Sequence, residues 1–123
     1  DGDGMIRPVT PHRVLDTRIG HGAPQRKLGA IHFARLQLTN RHPLPSSATA
    51  VLLNVTATNT TRDLYVTVWP SGRAMPNTSN LNVRAGATVA NLVLCELGPD
   101  GQVDLASPVS HVDVVADVVG YVG

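Results

Sequence analysis

Cysteine is nearly missing from this chain. Cys95 stands alone among 123 residues, so no internal disulfide can brace the fold and cysteine usage does not fix the compartment. Within Val93-Leu94-Cys95-Glu96-Leu97 it reads as a small apolar core group, with no histidine near it in sequence to make a catalytic thiol. Aromatic residues are as scarce: Phe33, Tyr65, Trp69 and Tyr121 are all there are. Any core must therefore be aliphatic, and an extended aromatic platform for sugars is excluded. Only 15% of residues are charged, the formal net charge is +1, and the basic residues are spread along the chain. A nucleic-acid surface needs a clustered basic stripe, so nucleic acid is not an expected partner. No apolar run approaches the length of a membrane span. No segment of ten or more residues carries a helical period. The opening residue is Asp1 rather than Met, a start compatible with a processed or excised chain and with a removed leader.

Valine, leucine and threonine fill the space these absences leave. The chain length fits one domain, and a domain of this size buries roughly two-thirds of its unfolded surface. The apolar fraction of 42% supports a real core. Val and Thr favour strands because branched side chains pack well on a pleated surface. Strand signals run through Arg13–Arg18, Ala30–Thr39, Ala50–Asn59, Leu64–Trp69, Ser79–Val83, Thr88–Leu97, Gln102–Ala106 and His111–Val122, with Gly, Pro and Asn between them. In the clearest of them, Val51, Leu53, Val55 and Ala57 make an unbroken apolar face. The short link Thr60–Asp63 predicts a hairpin between the third and fourth strands, and Gly98-Pro-Asp-Gly101 predicts another before Gln102. About eight strands at this spacing predict an all-β antiparallel sandwich of jelly-roll or Greek-key type. Residues 8–123 form the predicted domain. Residues 1–7 form a flexible segment, and Met5–Val9 is short and apolar enough to donate a strand to another copy. Asp1 and Asp3 between glycines lack the further ligands and closing acid of a calcium loop, so a solvated terminus is the expected state.

Charge inside a strand is the feature that needs explaining. Arg13-Val-Leu-Asp-Thr-Arg18 puts three charges around an apolar pair, and strict alternation would set Arg13, Leu15 and Thr17 on one face and Val14, Asp16 and Arg18 on the other. Asn54, Asn80, Asn82, Asn91, Asp113 and Asp117 also fall inside predicted strands, where Asn and Asp are normally depleted. Buried polar groups are usually paired internally. Arg13, Asp16, Arg18, Asn54, Asn82, Asn91 and Asp117 are therefore expected to form a structural polar clasp, with Asp117 as partner of Arg13 or Arg18 through an arginine–carboxylate fork.

No catalytic set stands out. The five histidines, at 12, 21, 32, 42 and 111, show neither zinc-pair spacing nor a nucleophile elbow nearby. No glycine loop cradles phosphate, and no metal or cofactor is implied. A small hydrolase would need a pocket that sets a histidine beside a serine and an acid. Tyr65 and Trp69, which share a strand face with Thr67 between them, are the residues of an alternative glycan site; covering a sheet face or loop is the favoured reading of the pair, and anchoring a protein interface is another.

The motif order resembles a known module. Pro11-His-Arg-Val-Leu-Asp-Thr-Arg18, followed by Gly20 and Gly22, is similar to the Pro-x-Arg-Leu-Leu-Asp-Thr-Arg opening of a module repeated in secreted and surface proteins of actinobacteria and related Gram-positive bacteria. Its later landmarks follow in order: Ala50-Val-Leu-Leu-Asn-Val-Thr56, Leu64-Tyr-Val-Thr-Val-Trp-Pro70 with Gly72, Ser79-Asn-Leu-Asn82, Ala85-Gly86, Val89-Ala-Asn91 and Asp117-Val-Val-Gly-Tyr121. Val14 replaces a Leu, and Leu64 replaces the usual Gly-Tyr lead. The resemblance implies export and a non-catalytic role at a cell surface, and brings no binding residues with it. The expected partners are another copy of the chain or another surface protein, with a glycan as the alternative.

Overall fold

Segments of alternating Val, Leu and Thr become strands because each buries one row of side chains and leaves the other to polar contacts. A computed structural model describes residues 4–123. Its eight strands are β1 (Ile6–Asp16), β2 (Ala34–Gln37), β3 (Ala50–Thr58), β4 (Leu64–Pro70), β5 (Leu81–Val83), β6 (Val89–Glu96), β7 (Gln102–Ala106) and β8 (Asp113–Val122). They form two antiparallel sheets of four, ordered β1-β8-β3-β6 and β2-β7-β4-β5. This is a jelly-roll sandwich. Asp1 and Asp3 lie outside the described residues.

The core is aliphatic. Val51, Leu53, Val55 and Ala57 of β3 and Val114, Ala116 and Val118 of β8 are fully buried, as are Val66 of β4 and Val103 and Leu105 of β7. Each fully buried Val or Leu contributes about 1.5–3 kcal/mol relative to exposure, and interdigitation of two such faces substitutes for the missing aromatics and disulfides.

Both expected hairpins are arches instead. β3 and β4 lie in different sheets, and so do β6 and β7. Asn59 takes a left-handed conformation at φ 59° and sends its side chain to Asp113. The 98–101 turn closes on itself through Gly101 N–H to Gly98 O at 2.9 Å, and the chain then crosses the end of the sandwich. The physical reason is burial: crossing lets the apolar faces of consecutive strands meet across the core, where a flat hairpin would set them side by side in one sheet.

The opening strand also departs from expectation. Ile6 and Arg7 are already paired, with Val122 and Tyr121, so they belong to the sandwich and are not a loose segment available for donation. Arg13 faces Asp117 but Leu15 faces Ala116, which leaves Val14 as an extra residue. The bulge flips the alternation: Leu15 is fully buried while Arg13 is half exposed. Gly22 makes the bulge possible. A Cβ there would sit 2.1 Å from Val14 O, and its φ is +79°. β2 is shorter than Ala30–Thr39, because Gly29 N–H bonds His32 O in a turn and Leu38 N–H is taken by Gly101 O.

Candidate functional site

The end of β1 is held by a carboxylate. Asp16, almost fully buried, accepts from Arg18 N at 3.1 Å, Arg18 Nε at 2.9 Å and Arg18 Nη2 at 2.9 Å. The backbone contact is an Asx turn that bends the chain out of the strand. The Arg18 hydrogen bonds hold the Asp16 carboxyl below its ordinary range against the opposing effect of burial, and Asp16 in turn makes Arg18 harder to deprotonate. Beside it Arg13 forms a fork with Asp117, Nε to Oδ1 at 2.9 Å and Nη2 to Oδ2 at 3.3 Å, joining β1 to β8. Arg13 Nη1 lies 3.7 Å from Asp16, which links the two ion pairs. Buried between strands, Thr17 Oγ1 donates to Asp113 Oδ1 at 2.8 Å and accepts from Val114 N at 3.0 Å. Asn59 Nδ2 donates to the other Asp113 oxygen at 3.0 Å.

The three asparagines do not join this clasp. Asn54 faces Asp117 in register, but its amide takes no part in the fork. Asn91 lies on the far side of the sandwich, where its Nδ2 donates to Asn80 O at 2.9 Å and ties β6 to the segment before β5. Asn82 accepts from Ser79 Oγ at 3.2 Å on the exposed face of β5. A one-dimensional list of polar strand residues cannot tell which side of the sandwich each occupies, and here they separate into independent groups.

A second fork went unnamed in the sequence. Arg35 Nε and Nη2 donate to Asp104 Oδ1 and Oδ2 at 2.9 and 3.0 Å, and Ser71 Oγ donates to Asp104 Oδ1 at 2.6 Å. The signal was present, since both residues are charges in alternating strands, as in Arg13 and Asp117. Thr17, Asp113 and Asn59 were harder to find, because their meeting depends on the β1–β8 register.

Tyr65 and Trp69 do not form a stacking pair. Trp69 is only 8% exposed. It lies under the loop after β4, with Nε1 donating to Arg73 O at 3.1 Å, and Thr67 between the two aromatics is buried and bonded to Thr78 O. Tyr65 alone reaches a shallow depression with Asn77, Thr78 and Ser79. A buried indole cannot lie flat on a sugar ring, so Trp69 is not placed to stack on one.

A concavity with a distinct chemistry opens between β1 and β2. This cleft, of about 330 Å³, is lined by Arg13, Arg35 and Arg41 and by His12, His21 and His42, among others. The residues lining it include no serine, cysteine or carboxylate. His12 and His42 meet edge to face at 5.2 Å, and His21 Nε2 lies 3.2 Å from Arg13 O. Among the described residues no three His, Cys, Asp or Glu side chains converge to hold a metal ion.

Cys95 is buried in the core, where desolvation, reinforced by Glu96, pushes its thiol up to about 11. Among the described residues no helix is long and apolar enough to cross a membrane. No protein-family model matches the chain, and no curated protein sequence matches it.

Proposed function

We propose that this chain is a non-catalytic structural or interaction module of an extracellular surface, and that it docks a second copy of itself along β6. One observation carries the proposal. β6 is an edge strand, and it presents Leu92 and Leu94, each 56% exposed, on the outer face of its sheet. In register beside Leu94 lie Leu52, Gly120 and Pro8, so an apolar row crosses all four strands. Exposed apolar edges invite pairing, and an edge strand that pairs antiparallel with its own copy closes about a two-fold axis. The two leucine pairs would then share one continuous face. Pairing would displace one local contact, the Leu92 N–H to Asn91 Oδ1 bond at 3.1 Å. The resemblance to repeated modules of exported proteins points the same way, as does the use of the strongest ion pairs to brace strands.

Sedimentation of the purified chain over a wide concentration range, with Leu92→Asp and Leu94→Asp variants beside it, tests this. The parent should associate and both variants should stay monomeric with unchanged thermal midpoints. A parent that remains monomeric at millimolar concentration removes the self-docking reading. A glycan role through Tyr65 has less support now that Trp69 is covered; a glycan array that responds to Tyr65→Ala would restore it.

A further inference from the structure

We infer that the cleft between β1 and β2 is a binding site for a small oxyanion, a phosphate or sulfate group on a ligand no larger than a single sugar unit. Its volume of about 330 Å³ lies at the small end of ligand sites. Three arginines and three histidines are among the residues lining it, and no carboxylate is. Arg13 and Arg35 are each paired with an aspartate, whereas Arg41 has no carboxylate partner among the described residues, and an unpaired cation on a concave surface raises the local concentration of anions.

The forks set up the donors. Arg13 and Arg35 each spend Nε and Nη2 on an aspartate, Asp117 and Asp104 respectively. Each guanidinium is thereby held in one orientation, with Nη1 left over. Arg13 Nη1 is only loosely engaged, 3.7 Å from Asp16. Neither Asp117 nor Asp104 is among the residues that line the cleft, so the forks orient the arginines without placing a carboxylate in its wall. Arg41 differs from both: its exposed guanidinium makes no hydrogen bond or ion pair with any described side chain. An unpaired arginine in the same lining as two held ones suits a tetrahedral oxyanion, which has several oxygens to share among planar donors. His12 and His42, in contact at the rim, add imidazole N–H donors. The site does not depend on self-docking: β1 and β2 lie at the opposite edges of their sheets from β6 and β5.

Titration calorimetry and amide chemical-shift mapping of the whole chain, at constant ionic strength with chloride as the balancing anion, provide the test. The probes are inorganic phosphate, inorganic sulfate, glucose 6-phosphate and galactose 6-sulfate. The expected result is saturable binding with shifts centred on residues 12–13, 35–38 and 41–43. Arg41→Ala should weaken it about tenfold or more, and Arg41→Lys less, as the loss of a charge-assisted fork predicts. Arg84→Ala, an exposed arginine remote from the cleft, should leave it unchanged. Arg41 has no structural partner to lose, so its variants should keep the parent thermal midpoint. A stronger response to the phosphate pair or to the sulfate pair identifies the source of the oxyanion. Binding that fails to saturate, or an equal loss in Arg41→Ala and Arg84→Ala, overturns the inference.

Discussion

Replacing Asp16 with Asn removes the charge that closes β1 and changes little else in shape. The native carboxylate accepts three hydrogen bonds from Arg18, two at one oxygen and one at the other. Asparagine keeps one acceptor oxygen. Its NH2 group then faces Arg18 Nη2, so donor meets donor where a bond of 2.9 Å stood. A hydrogen bond to a charged group contributes about 1.5–3 kcal/mol. Arg18 is 46% exposed, so solvent screens part of that contribution, and a net loss of about 2 kcal/mol is expected. For a domain of this length the loss corresponds to a fall of about 8 °C in thermal midpoint. The pH dependence has a definite sign. The folded carboxyl is depressed below its ordinary value of 3.8, so its stabilisation is full above that pH and is lost as pH falls through the folded value. Urea unfolding of parent and Asp16→Asn should therefore differ by about 2 kcal/mol at pH 7 and converge as pH falls through the depressed value of the folded carboxyl. A difference under about 0.5 kcal/mol at pH 7, the scale of an indifferent surface change, would refute the clasp as a source of stability.

Gly22→Ala should destabilise by about 3 kcal/mol in urea unfolding, since its Cβ would meet Val14 O and its φ is positive. Cys95, with its thiol raised to about 11, should react with a thiol reagent at pH 8 about a hundredfold more slowly in the native chain than in urea.

The eight-strand sandwich was legible because period-two alternation and turn residues report local conformation and burial together. Its connections were not. A link of a few residues suits a hairpin or an arch equally well by length, and only the demand that both apolar faces meet in one core selects the arch. The bulge at Val14 was hidden for a related reason: alternation counts residues, and an extra residue shows only against the partner strand. Charge in a strand correctly marked Arg13, Asp16 and Arg18 as residues in need of partners. The same signal at Arg35 and Asp104 was overlooked. Strand parity names the face that Trp69 occupies but not the loop that covers it.

By itself the sequence determined an aliphatic all-β domain, because propensity, alternation and turn chemistry are local properties and agree along the whole chain. Only the tertiary structure decided which charged side chains meet. Arg13, Arg35 and Arg41 are spread along a chain of net charge +1, yet the jelly-roll order brings β1 and β2 to the same side of the sandwich and gathers them with three histidines around one cleft. Electrostatic potential depends on distance in space, and distance in space is set by strand order rather than by spacing along the chain.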